Sequence, residues 1–186
     1  NVVLHCAIGI AVKDRSAPVM ANNTVASCTV GVSAYEKEIG MGGARGHWVN
    51  GIVWNCDESI RLDLLSFLDV RYSLIGGDEV WPGEGNVNAD PEFVDLNADN
   101  VLLQPGSPAF NVGTSRLAPA TDYHGVARSP TPALGAFEDA ATDYDSDGDG
   151  QADATDALPF NSLNKADPPA ESSVVINEIM YRPDND

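Results

Sequence analysis

Asn22-Asn23-Thr24-Val25-Ala26-Ser27-Cys28-Thr29-Val30-Gly31-Val32-Ser33-Ala34 decides the fold, because a variant of it recurs on either side. Cys6 precedes Cys28 by 22 residues and Cys56 follows it by 28, and the neighbours of the three cysteines fall into columns. Val3, Val25 and Val53 form one, Ile10, Val32 and Ile60 a second, and Val12, Ala34 and Leu62 a third. Positions that stay apolar from copy to copy mark a unit that buries the same face each time it repeats. Two further columns are read as Ala21, Val49 and Val70, and beside them Asn22, Asn50 and Arg71. Inside each unit apolar residues alternate, as in Gly31-Val32-Ser33-Ala34, which is the two-residue period of short strands. The six extra residues of the second unit are placed in a glycine-rich loop from Glu36 to Gly46, since an insertion must leave a solenoid at a turn. A leucine-rich repeat has a similar period, but its leucine spacing and repeat helix are missing, while β-branched residues and Gly/Asn turns are present. The expectation is an all-β chain whose residues 1–75 form coils of a parallel β-helix.

Charge divides the chain differently. The formal net charge of the 186 residues is −18, yet residues 1–75 hold six Lys/Arg against seven Asp/Glu, leaving four basic and 21 acidic residues for the remainder. A nearly neutral body is followed by an acidic tail. Such a tail repels nucleic acid and anionic membrane and attracts divalent cations, calcium first. No run approaches the roughly 18 consecutive apolar residues of a membrane helix, so membrane insertion is not expected. An apolar content of 43% permits a real core. Three cysteines cannot all pair within one chain, and their column position predicts a ladder of free, buried thiols. The repeat is already under way at Asn1, which leads us to expect further coils upstream and further domains on both sides.

From Asn22-Asn23-Thr24 through Ile52-Val53-Trp54-Asn55 the pattern resembles the right-handed parallel β-helix repeats of secreted bacterial proteins. Asn88-Ala89-Asp90-Pro91-Glu92-Phe93-Val94-Asp95 and Leu103-Gln104-Pro105-Gly106-Ser107-Pro108-Ala109 resemble the segment after the last coil in that family. Thr121-Asp122-Tyr123-His124-Gly125-Val126-Ala127-Arg128 and Leu134-Gly135-Ala136-Phe137-Glu138 resemble its close, with Ala133 where the family usually places an aspartate. The resemblance implies terminal coils over residues 1–75 and an irregular C-terminal cap over 76–139. A solenoid ends in unpaired strand edges, and the cap is expected to cover them.

Residues 140–170 form an acidic linker around Asp145-Ser146-Asp147-Gly148-Asp149-Gly150-Gln151-Ala152-Asp153-Ala154-Thr155-Asp156. Counted as a twelve-residue calcium loop, Asp145, Asp147, Asp149, Asp153 and Asp156 supply carboxylates at positions 1, 3, 5, 9 and 12, and Gln151 a backbone carbonyl at position 7. Gly148 lies at position 4 and Gly150 at position 6, where the chain must turn sharply. Ala157-Leu158-Pro159 stops any following helix, so the loop resembles thrombospondin type 3 and dockerin-like calcium repeats rather than a sensor pair. Aspartate at position 12, where the family has glutamate, predicts weaker coordination of Ca2+, in the extracellular range of about 10⁻⁴ to 10⁻³ M. Residues 171–186 follow Asp167-Pro168-Pro169, and Val174-Val175-Ile176-Asn177-Glu178-Ile179-Met180-Tyr181 resembles the first strand of a lamin-tail domain, a β-sandwich here truncated.

Many parallel β-helices are polysaccharide lyases or glycoside hydrolases with acids and bases on one outer face. Lys13, Asp14, Arg15, Tyr35, Glu36, Lys37, Asp63, Arg45 and His47 are the polar groups so placed, with Lys13, Tyr35 and Asp63 in one column. Solvated turn residues are the better account of them, since every outward position of such a coil is polar, so none is assigned as catalytic. His47 is read into the column of Val19 and Leu68, as a partly packed side chain. Gly40-Met41-Gly42-Gly43-Ala44-Arg45-Gly46 lacks the helix of a phosphate-binding loop. Asn22-Asn23-Thr24 matches a glycosylation acceptor, but its turn column suffices to explain the asparagine. The expected function is an extracellular or cell-surface scaffold, secreted, that meets polysaccharide or other surface components and is tethered by a calcium-stiffened linker. The alternative is the C-terminal part of a polysaccharide lyase or glycoside hydrolase whose catalytic coils lie upstream.

Overall fold

The computed structural model describes residues 1–139 together with Asp147, Gln151, Ala152, Asp156 and Leu158. Ten short strands run through it in rotation: β1 (Val2–Leu4), β2 (Ile8–Lys13), β3 (Val19–Ala21), β4 (Thr24–Ala26), β5 (Val30–Tyr35), β6 (Arg45–Val49), β7 (Ile52–Trp54), β8 (Glu58–Leu62), β9 (Phe67–Arg71) and β10 (Leu74–Ile75). Each strand joins a different sheet from its predecessor, and each from β1 to β7 pairs in parallel with the strand three places later. The result is three sheets, β1-β4-β7-β10, β2-β5-β8 and β3-β6-β9. Strands this short are what a coil with three corners leaves room for.

Register follows the cysteine alignment over the first two sheets. Val3 pairs with Val25 and Val25 with Val53, while Ile10, Val32 and Ile60, and Val12, Ala34 and Leu62, pair likewise. Lys13 pairs with Tyr35, and Val19 with His47, so the six inserted residues fall between β5 and β6. The third sheet corrects the expected columns. Ala21 and Val49 line up with Arg71 rather than Val70, and Val70 belongs with Met20 and Trp48. His47 faces Asp69, not Leu68.

Corners impose the backbone constraint. His5, Ser27 and Asn55 turn one corner at φ of 54°, 54° and 51°, and Asn22, Asn50 and Tyr72 turn another at 52°, 54° and 46°. This left-handed region disfavours side chains other than glycine, asparagine and aspartate. Asparagine therefore recurs there, and Asn50 Nδ2 donates to Asn22 Oδ1 at 3.2 Å. Close stacking also needs glycine. A Cβ on Gly9 would lie 2.5 Å from Val25 Cγ1 and one on Gly31 2.4 Å from Val53 Cγ1, whereas Ser59 is accommodated at the same level of the last coil.

Inside the coils, Val25, Val32, Ala34, Trp48, Val53, Leu68, Val70 and Ile75 form one core. A second core lies outside the first sheet, where Ala26, Ile52 and Leu74 pack against Phe93, Val101, Leu102, Leu103, Leu134 and Phe137. The segment expected to cover the open end thus has two tasks. Residues 81–88 cross the end: Val87 exchanges backbone hydrogen bonds with Ser73 and Ile75, Asn86 Nδ2 donates to Val70 O at 2.9 Å, and Trp81 packs on the inner core. The remainder, including the antiparallel pair β11 (Phe93–Asp95) and β12 (Asn100–Leu103), covers the flank.

A buried ion pair clasps that flank. Arg128 Nη1 donates to Glu138 Oε2 at 3.0 Å, and Nη2 donates to the carbonyls of Gly135 and Ala136. Glu138 also accepts from the amides of Ser129 and Ala133, and Asp122 accepts from those of His124, Val126 and Glu138. The loop so held reaches the coil body, where Asn22 Nδ2 donates to Ala133 O at 3.0 Å, Gly135 N to Asn50 O at 2.7 Å and Ala136 N to Thr24 Oγ1 at 3.0 Å. Removing one partner strands the other charge in a dry site. Arg128→Met should lower stability by about 3–5 kcal/mol, read as a fall in the urea midpoint.

Candidate functional site

Two surfaces collect the polar residues singled out in the sequence. The first is the corner between β5 and β6. Asp14 Oδ1 accepts from the amides of Lys37 and Glu38 at 2.8 and 3.1 Å, and Asp63 Oδ2 from Glu36 N at 2.6 Å. Glu36 Oε1 accepts from Gly40 N at 3.0 Å and Gly42 N at 2.6 Å. The glycine-rich loop therefore wraps a carboxylate of its own chain, and Gly40 and Gly42 meet the geometry at φ of 90° and 87°. Ala44 N donates to Ser66 Oγ at 2.9 Å, joining the loop to the next coil. Asp14, Glu36 and Asp63 are thus backbone caps that shape the insertion. Lys13 and Tyr35 are paired in β2 and β5, as their column predicted.

The second surface is the outer face of the third sheet. Strand alternation turns Val19, Arg45, His47, Phe67, Asp69 and Arg71 outward, while Met20, Trp48, Leu68 and Val70 point into the core. His47 is exposed at 53% of its side chain, contrary to the partly packed histidine expected, because its column partner Asp69 lies on the solvent side. His47 Nδ1 and Asp69 Oδ2 are 3.3 Å apart, and Arg71 Nε donates to Asp69 Oδ1 at 2.9 Å. Arg71 also approaches Glu84 at 3.7 Å, and the Tyr72 hydroxyl donates to Glu84 Oε1 at 2.8 Å. The Arg71 hydrogen bond, with the His47 contact behind it, holds the Asp69 carboxyl below its ordinary range. Glu84 pushes the Tyr72 phenol up. Phe67 stands beside this network, more than half exposed. Asp69 and Arg71 escaped sequence reasoning because the register slip on β9 hid which of its residues face outward, and Tyr72 and Glu84 because they lie beyond that strand, at the corner and in the segment that crosses the end.

Asn22 is buried and committed to Ala133, Gly135 and Asn50, so its amide is not presented for glycosylation. Of the expected calcium ligands, Asp145, Asp149 and Asp153 lie outside the described residues, as does Val174–Tyr181 of the lamin-tail resemblance. Asp147 is half-buried, Gln151 exposed and Asp156 buried. Asp156 N donates to Ala152 O at 2.9 Å, and Asp156 Oδ1 accepts from Leu158 N at 2.8 Å. Among the described residues no three His, Cys, Asp or Glu converge as a metal site, and no helix is long and apolar enough to cross a membrane.

Comparison with family models, with curated proteins and with solved structures finds no match.

Asp63 gives a pH test. The Glu36 amide, with Ser66 and Leu65 behind it, depresses the Asp63 pKa. A carboxyl with a depressed folded pKa contributes stability above its unfolded value near 3.9 and loses that contribution as pH falls through the folded value. The insertion loop should therefore open as pH drops below about 4, seen as a smaller protection factor of the Glu36 amide relative to its intrinsic exchange rate, and Asp63→Ala should remove that protection already at neutral pH.

Proposed function

We propose that this chain is part of an extracellular scaffold, a right-handed parallel β-helix that presents the outer face of β3-β6-β9 to polysaccharide and is tethered by a calcium-stiffened linker. Rotation of short parallel strands through three sheets supports the β-helix, and the handedness follows the preference of parallel crossover connections. One observation carries the binding reading: the described residues cover the outside of the first sheet with a second core, yet leave the third sheet bare with Phe67 exposed among His47, Asp69 and Arg71. An aromatic face beside an ion-paired row suits a sugar ring, whose C–H face packs and whose hydroxyls and carboxylates take hydrogen bonds. Arg45 and Arg71 favour uronate over neutral sugars.

Affinity electrophoresis of the chain through gels containing uronate polysaccharides tests this reading. Retardation is expected, lost in Phe67→Ala and reduced in Arg71→Gln. The enzyme alternative predicts instead that unsaturated product accumulates in solution, read by ultraviolet absorbance. The carboxylates that sequence offered for such chemistry, Asp14, Glu36 and Asp63, are engaged with backbone amides, which favours the scaffold.

For the linker, the spacing of the carboxylates in the sequence supports calcium. Five of them within twelve residues repel one another without compensating charge, and no Lys or Arg occurs between Arg128 and Lys165 in the sequence. A hard divalent cation held by Asp145, Asp147, Asp149, Asp153, Asp156 and the Gln151 carbonyl would supply it. In calorimetric titration the chain should bind one Ca2+ with Kd of about 10⁻⁴ to 10⁻³ M and bind magnesium much more weakly. Asp149→Asn should weaken the calcium heat, and equal heats for the two metals would leave only a solvated acidic tether.

A further inference from the structure

The corner between the first and second sheets stacks Cys6, Cys28 and Cys56 at one level of three successive coils. Cys6 Sγ donates to Leu4 O at 3.3 Å, Cys28 Sγ to Ala26 O at 3.3 Å and Cys56 Sγ to Trp54 O at 3.4 Å. Cys6 N in turn donates to Cys28 Sγ at 3.4 Å, so sulfur follows sulfur up the corner. None is bridged. The expected ladder of buried thiols holds for Cys6 and Cys28, but Cys56 is partly exposed. The reason is positional: β8 is the last strand of its sheet, and among the described residues no further coil covers this corner. Instead a cavity of about 290 Å³ opens there, lined by Cys56 with Trp54, Asn55, Asp57, Ser59 and Gly76.

We propose that Cys56 is a modification site, a nucleophilic thiolate that takes up a small neutral or cationic aliphatic disulfide from this cavity and carries half of it as a mixed disulfide. The Cys56 sulfur attacks one sulfur of the small disulfide. A new S–S bond forms, the old one breaks, and the departing thiolate takes a proton from water, so no other oxidant is required. The stack supplies the activation. When Cys56 ionises, the Cys28 S–H is placed to turn from the Ala26 carbonyl to the Cys56 sulfur. That hydrogen bond lowers the Cys56 pKa, outweighing burial and the charge of Asp57, and raises that of Cys28. The Asp57 carboxylate at the cavity sets the charge preference, since it repels anionic disulfides.

Cystamine, a dicationic disulfide, is the probe, with intact mass and peptide mapping as readouts on the folded chain. One half-cystamine per chain is expected, mapped to Cys56 and absent from Cys56→Ser. Reaction with an anionic aliphatic disulfide whose leaving thiol has a comparable pKa should be slower at low salt, and the difference should shrink as salt is added. In Cys28→Ala the adduct should still form, but its pH profile should move upward. The rate at pH 7 should then fall roughly three- to fourfold for every tenfold loss of thiol acidity, lost thiolate outweighing gained nucleophilicity. The proposal is overturned if folded wild type gains no adduct until urea exposes all three thiols, or if Cys6 or Cys28 is labelled as fast as Cys56. Both outcomes are read on wild type, so neither depends on a variant folding.

Discussion

Backbone hydrogen bonds between residues one coil apart are the interaction on which everything else rests. A residue on β4 has its ladder partners on β1 and β7, 22 positions back and 28 on, and little of the pairing is local. Those bonds fix the level of each coil, and the level fixes which side chains stack. The same bonds force the chain round sharp corners, where residues must hold left-handed backbone angles. Asparagine tolerates this, but His5, Ser27 and Tyr72 do so at some conformational cost. Stacking of the valine and cysteine columns, repeated coil upon coil, offsets that cost.

The valine and cysteine columns were legible because their spacing is a property of the ladder itself, and the inserted loop was legible because a solenoid can lengthen only at a turn. The third sheet was misread for an identifiable reason. Matching Val70 to Ala21 and Val49 satisfied hydrophobicity, but a slip of one residue in a strand exchanges its two faces. The left-handed corner at Tyr72 is the signal that would have set the register, and tyrosine is not a residue type that announces such a conformation. The slip then concealed Asp69 as the partner of His47 and Arg71 as the donor to Asp69.

Carboxylates posed a subtler difficulty. Asp14, Glu36 and Asp63 look like solvated turn residues or general acids from sequence, yet each gathers amides from a neighbouring stretch of chain. Nothing in residue type distinguishes a carboxylate that meets substrate from one that meets a peptide N–H. Only the position of the loop, known after folding, does so. The closing segment was similar. Its residues were singled out by a resemblance, but Arg128 and Glu138 became intelligible only as a buried pair whose remaining hydrogen bonds hold the loop 133–138 on the coil.

That clasp bears on the order in which the chain can finish folding. Asn22 meets Ala133 across 111 positions and Thr24 meets Ala136 across 112, so the coil at residues 22–26 is sealed by residues near the end of the described body. As the chain emerges it can stack coil on coil, yet the apolar flank formed by Ala26, Ile52 and Leu74, partly covered by Phe93, Val101, Leu102 and Leu103, is closed only when Leu134 and Phe137 arrive. High contact order of this kind slows the final step and leaves an adhesive intermediate in the meantime. The body is in this sense a circuit rather than a stack, and a nascent chain stopped short of Arg128 would expose a sticky side rather than a shorter rod.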